Sequence, residues 1–206
     1  MTFFQWVDHI DKLIVLLVQH DSDHAVLDPV MLFLREPLSW VPLYAFLLFY
    51  VIRKMKKRAW LFIVGSLVVF AITDSLTAQL LKPLFGRYRP CCDPEFHSYV
   101  RALVDCGGLY SLPSSHAANH FGLATFWFFS MKVITGRKWN WVWVWAAAVC
   151  YAQVYVGKHY PSDILVGGGI GFIAGMGVSR LFELIWNRQQ PGRSFPAFFM
   201  KKAQEI

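Results

Sequence analysis

The sequence predicts an all-α protein, a bundle of about five membrane-spanning helices preceded by an amphipathic helix at the membrane surface. Three observations predict it. Of the 206 residues, 56% are hydrophobic and only 16% charged, against the roughly 25% charged residues of an average soluble chain. The apolar residues form runs that approach or exceed the roughly 17 to 25 residues a helix needs to cross a bilayer. The basic residues cluster at the ends of those runs, as they do where charge sets membrane orientation.

Residues 3–19 place Phe3, Phe4, Val7, Ile10, Leu13, Ile14 and Leu17 three or four apart, which makes an amphipathic helix. Its polar face carries Asp8, Asp11 and Lys12. That face is too charged for a good span, so the helix is expected to lie along the interface, a first full span being the alternative. A polar turn over His20–His24 leads to a second short interfacial helix at 26–35. Residues 1–36 therefore form an interfacial segment ahead of a spanning region, 37–186. Within that region the first span runs from about 39 to 53, with Trp40 and Tyr44 near one edge. It stops at Arg53, Lys54, Lys56, Lys57 and Arg58. The second covers about 59–81, and a loop of about thirty residues follows. The third span covers 115–134, and the fourth, led by Trp139, Trp141, Trp143 and Trp145, covers 139–157. The fifth, 162–185, is rich in glycine, including Gly167, Gly171 and Gly175, and small residues let helices pack closely. A basic tail, 187–206, carries Arg188, Arg193, Lys201 and Lys202.

The net charge of +7 would point to nucleic acid in a soluble chain. Here it sits beside apolar runs and no nucleic-acid signature accompanies it, so nucleic acid is not an expected partner. No basic region precedes an apolar stretch at the start, so no cleavable signal peptide is expected. No cysteine spacing fits a zinc site, although Cys91 or Cys92 can pair with Cys106 in an oxidising compartment. With five spans, the cluster at 53–58, the pair Arg137–Lys138 and the tail share one face, which the positive-inside rule makes cytoplasmic. Residues 82–116 and 158–163 fall on the other.

Three segments on that outer face can carry chemistry. Lys82, Arg87 and Arg89 lie within eight residues at a helix end. Positive charge opposite the cytoplasmic face calls for an anion, and phosphate suits the arginine fork and the lysine point charge. Pro113-Ser114-Ser115-His116 opens the third span, where free backbone N–H groups and the helix dipole bind phosphate and Ser114 can cap the helix. His159-Tyr-Pro-Ser-Asp163 lies between the last two spans. Each segment alone has an ordinary reading as topology charges, a helix cap or an interfacial pair.

Together, Lys-x6-Arg-Pro, Pro-Ser-x-His and His-x3-Asp, in order and on one face, resemble the type 2 phosphatidic acid phosphatase (PAP2) superfamily over residues 39–185. The resemblance implies that His159 attacks phosphorus and becomes phosphorylated, with Asp163 orienting its imidazole. It implies that His116 acts as general acid and then base. It assigns phosphate binding to Lys82, Arg89, Ser114 and the backbone N–H of Ser115, and implies no metal and no cofactor. The expected partner is a lipid phosphate in the bacterial inner membrane, hydrolysed on the periplasmic side. A polyprenyl diphosphate such as undecaprenyl diphosphate comes first, ahead of phosphatidylglycerol phosphate, phosphatidic acid and lipid A phosphates. From other classes, an inactive lipid-binding protein or an anion transporter would use the same cations. Oligomeric state is not legible.

The sequence departs from the pattern twice. Ser115 replaces a glycine but keeps its N–H. The third motif ordinarily begins Ser-Arg, and here those positions are Ala152 and Gln153. Gln153 donates a neutral hydrogen bond where a charge-assisted one is about twice as strong. Lys158 or Arg87 is expected to replace the lost charge. Asp74, inside the second span, reads as structural rather than catalytic. His120, one turn after His116, is either a support for it or an interfacial residue, and the interfacial reading is preferred.

Overall fold

A computed structural model describes residues 1–20 and 24–189. The polar turn at 21–23 and most of the basic tail lie outside the described residues. Helix α1, Phe3–His20, and α2, His24–Arg35, precede the bundle, followed by α3, Val41–Met55, and α4, Ala59–Asp74. The fourth helix runs on as a π-helical stretch, Ser75–Leu81, and a last turn, α5, Lys82–Phe85. The loop then leads to α6, Ser115–Thr135, α7, Trp141–Tyr155, and α8, Pro161–Arg188. Each expected helix is present, with ends shifted by a few residues.

Two helical stretches, Pro37–Phe85 and Pro161–Arg188, are long and apolar enough to cross a membrane by length and composition. The first is interrupted at Lys56, whose φ of 51° reverses the chain between α3 and α4. The outer surface fits a bilayer. Leu165, Ile173 and Val144 are 76%, 73% and 70% exposed, a degree of apolar exposure that water disfavours.

Packing against α6 fixes the bundle. Gly65, Gly122, Thr73 and Thr77 place α4 antiparallel to α6, with residues 65, 73 and 77 opposite 126, 119 and 115. Gly167, Gly171 and Gly175 place α8 parallel to α6, against the backbone of Ser114, Ala118 and Gly122. A side chain at Gly171 would lie 2.2 Å from the Ala118 oxygen, so only glycine allows this approach. The N-termini of α6 and α8 therefore come together at one end. At the opposite end Arg58 stacks over the Trp186 ring at 5.5 Å, joining the basic corner after α3 to the end of α8.

Asp74 is held between helices. Thr73 Oγ1 donates to Asn119 Oδ1 at 2.6 Å, and Asn119 Nδ2 donates to Asp74 Oδ1 at 3.1 Å. Asp74 also lines the cavity that runs between α3, α4 and α6.

Candidate active site

The site lies where α6 and α8 begin. Ser114 caps α6, its Oγ accepting from Ala117 N at 3.3 Å, and Ser114 N donates to the Asp163 carbonyl at 3.1 Å. The glycine stripe of α8 thus sets the second and third motifs side by side. Lys158 N and His159 N both donate to the Gln153 carbonyl, at 3.1 and 3.3 Å, so the turn bearing His159 folds back onto the end of α7. The π-helical stretch carries Thr77, whose Oγ1 lies 2.8 Å from Ser115 Oγ, and delivers Lys82 to the same end.

His116 and His159 face each other with ring centroids 6.4 Å apart. His159 and Asp163 are fully buried, with His159 Nδ1 3.6 Å from Asp163 Oδ2. That spacing leaves Nδ1 aligned with the carboxylate but longer than a closed hydrogen bond, and Nε2 directed elsewhere. Burial pushes the His159 imidazole down to about 4 against the opposing pull of Asp163, which leaves it neutral at ordinary pH.

Asp163 is itself held from two sides. Oδ2 accepts from Tyr160 N at 2.8 Å, and Oδ1 accepts from Arg87 Nη1 at 3.1 Å. Arg87 also donates to Ser162 Oγ at 2.7 Å and to Asp8 Oδ1 at 3.0 Å, and lies 2.8 Å from Asp11 Oδ2. Both terminal nitrogens are thereby committed to protein partners. This overturns the expectation that Arg87 replaces the missing phosphate-binding charge. Three carboxylates, of Asp8, Asp11 and Asp163, hold its guanidinium instead. Asp11, buried on α1, also accepts from Ser162 N at 2.9 Å and from Ser162 Oγ. The charged face of α1 is turned onto the site loops.

Several buried polar atoms at this end have no hydrogen-bond partner among the described residues: Nε and Nη1 of Arg89, both amide atoms of Gln153, and both ring nitrogens of His159. Buried polar groups ordinarily find partners. The Arg89 N–H groups and the Gln153 Nε2 amide are donors suited to a tetrahedral oxyanion, whereas Gln153 Oε1 can only accept. Lys82 and Arg89 stand together in it. Lys158 is on the rim, in the field of Arg35, Arg89 and Asp105.

A cavity of about 620 Å³ runs between α3, α4 and α6. Its walls are mostly apolar, from Tyr44, Leu47, Phe62 and Trp127, and its polar lining comes from Arg35, Asp74, Ser115, His116 and Asn119. Along α6 it spans Ser115 to Trp127, about 18 Å at 1.5 Å per residue. His120 also lines it, bonds through Nδ1 to the His116 carbonyl at 2.8 Å, and packs on Trp145 at 4.9 Å. The interfacial reading of His120 therefore gives way to one inside the bundle, supporting the backbone of His116.

Sequence reasoning missed Asp8, Asp11 and Arg35. Arg35 had a signal, being the only lysine or arginine between His24 and Arg53. Asp11 had none, since its partners lie 76 and 151 residues away. Of the two expected pairings, Cys91 bonds Cys106, leaving Cys92 free. The bridge closes the loop after Arg89.

A family model, the PAP2 superfamily, matches residues 62–187. A lipid A 4'-phosphatase of Porphyromonas gingivalis is 31% identical over 185 residues, covering 88% of this chain and 76% of that protein. A lipid A 4'-phosphatase of Bacteroides thetaiotaomicron is 33% identical over 144 residues, covering 66% and 61%. The bacitracin transport permease protein BcrC of Bacillus licheniformis is 25% identical over 156 residues, covering 75% and 71%. Among solved structures, a transmembrane PAP2-type phosphatidylglycerolphosphate phosphatase from Bacillus subtilis aligns with a TM-score of 0.63 at 20% identity. It covers 94% of this chain and 90% of that one.

Proposed function

The chain belongs to the PAP2 superfamily, and from that premise we propose that it removes a phosphate from a membrane lipid through a phosphate carried on His159. The pairing of His116 and His159 across a cluster of unpartnered donors carries the reading. Nε2 of His159, the nitrogen turned from Asp163, attacks phosphorus. The bond from phosphorus to the lipid oxygen breaks, and protonated His116 gives its proton to that oxygen. His116 then takes a proton from water, whose oxygen attacks phosphorus. The N–P bond breaks, and inorganic phosphate leaves with His159 restored. Arg89, Lys82, Ser114 and the N–H groups at the start of α6 hold the equatorial oxygens, where phosphoryl transfer spreads negative charge. Gln153 adds a neutral donor. No step requires a metal.

The cavity suits an amphipathic substrate, with the headgroup at His116 and acyl chains against α3, α4 and α6. A lipid A phosphate monoester becomes the first candidate substrate, because two relatives above 30% identity are lipid A 4'-phosphatases. A polyprenyl diphosphate, phosphatidylglycerol phosphate and phosphatidic acid follow. The outward, periplasmic placement draws support from the Cys91–Cys106 bond beside the site, since disulfides persist in oxidising compartments. A mass map without reductant should recover that bond from cells.

The test is phosphate release from these four lipids in EDTA, with His159→Ala as control. Release by the wild type, abolished in the variant and blocked by vanadate, is the expected result. Failure of every lipid, or turnover surviving His159→Ala, would sink the reading in favour of binding or transport.

A further inference from the structure

We propose that Arg35 binds the substrate phosphate in place of an arginine at position 153, so that a cation of the cradle comes from α2 rather than α7. The inference rests on the phosphatase reading and deepens it.

The seat of α2 places this residue. Leu27, Met31 and Leu34 pack on Ala152, Tyr155 and Val156, the stretch of α7 that contains Gln153. Asp28 fixes the register, accepting from Arg101 Nη1 at 2.8 Å and from the Tyr155 hydroxyl at 2.8 Å. Arg35 lies one turn beyond Met31, on the same side of α2. A basic residue in the last turn of a helix is ordinarily a solvated charge at the negative end of the dipole. Arg35 instead lines the cavity, together with Ser115 and His116. Its Nε is buried without a hydrogen-bond partner, and among the described residues no carboxylate pairs with it.

The surrounding charges agree. Burial and then the Arg35 charge lower Lys158, and burial lowers Arg89, with Arg35 contributing in the same direction. Arg35, Arg89 and Lys158 are close enough to feel one another's charge, and an anion among them removes the repulsion. Gln153, fully buried with both amide atoms unpartnered and its backbone carbonyl accepting from Lys158 N, offers shape but no charge. Arg35 supplies the charge together with a guanidinium able to bond two phosphate oxygens.

The experiment is titration of inorganic phosphate, the reaction product, into the purified full chain in detergent, alongside lipid turnover. Arg35→Ala should weaken phosphate binding by about ten-fold or more, the usual size of a charge-assisted bond. Arg35→Lys should fall between, keeping charge but losing the fork. Gln153→Arg in the Arg35→Ala background should recover most of the loss, which a merely structural role for Arg35 would not allow. Arg35→Met keeps the length and packing of the side chain and serves if the alanine variant does not fold. Wild-type phosphate affinity in Arg35→Ala or Arg35→Met overturns the proposal. Failure of the wild type on every lipid while Arg35→Ala still loses phosphate binding would instead retire the phosphatase reading and leave the anion site standing.

Discussion

Residues 62–187, the part matched by the family, carry both histidines of the proposed reaction, whereas α1 and α2 carry none of its reacting groups. Yet both regions bring charge to the site, and of opposite sign. The core presents Lys82, Arg89, His116, His159 and Asp163. Helix α1 presents Asp8 and Asp11 to Arg87, and α2 presents Arg35 to the cavity. The difference separates chemistry from positioning. A reacting group needs a fixed place relative to phosphorus, which the glycine-packed pair α6 and α8 provides. Tuning charges need only reach that place, and a helix docked from outside can supply them. Asp163 joins the two regions, orienting His159 on one oxygen and held through Arg87 by α1 on the other.

The largest expected effect separates the regions most sharply. His159→Ala should lower phosphate release at least about 1,000-fold by removing the proposed nucleophile, with the fold retained by circular dichroism. Asp163→Asn follows, at about 100-fold, because the amide no longer selects the tautomer that leaves Nε2 free to attack. Asp11→Asn tests the outer region. It leaves Ser162 bonded but removes one of the carboxylates holding Arg87, so kcat should fall by about three- to ten-fold with KM little changed. An equal loss from Asp11→Asn and Asp163→Asn would erase the distinction, placing α1 within the catalytic machinery. No loss from Asp11→Asn would reduce α1 to a membrane anchor.

The two regions were also unequally legible. Helices α3 to α8 follow from apolar runs ended by charge, and the three motifs follow from residue types at fixed spacing, because both signals are local. The docking of α1 is not local. Its alternation of apolar and charged residues is the same whether the charged face meets water or, as here, Arg87 and Ser162. The loss of Arg87 as a phosphate ligand has the same origin, since nothing near residue 87 announces Asp8 and Asp11. Gln153 was visible as a departure from the pattern, but the helix that packs on its stretch of α7 and carries Arg35 begins far earlier in the chain, with Arg35 118 positions before Gln153.

A smaller effect probes the packing that unites the motifs. In Gly171→Ala the new methyl would meet the Ala118 oxygen at 2.2 Å and the Gly122 nitrogen at 2.8 Å, both backbone. The helices must part, at about 1–3 kcal/mol for an overpacked contact. The melting temperature in detergent should drop by several degrees. Gly169→Ala is the control, since nothing lies within 4 Å of its added carbon; there the melting temperature should hold or rise slightly. Equal melting temperatures would show that the stripe does not hold α8 to α6.

The smallest effect is expected where simple titration predicts a large one. A solvated histidine near 6.5 would lose most of its neutral form between about pH 7 and pH 5. Burial holds His159 at about 4, so the attacking imidazole stays largely neutral over that range. The sign for stability is the reverse of a paired histidine. With the folded value below the unfolded one, the native state binds fewer protons between 6.5 and about 4. Stability therefore declines as pH falls through that window, and the loss is complete below it. The two consequences are separable. Phosphorylation of His159 under excess enzyme should not fall from pH 7 to pH 5 at low temperature, while the melting temperature does. A phosphorylation rate that drops about ten-fold over that range, in step with a group near 6.5, would mean that water reaches His159, and would tie the chemistry to the solvent rather than to the dry interior that α6, α7 and α8 build around it.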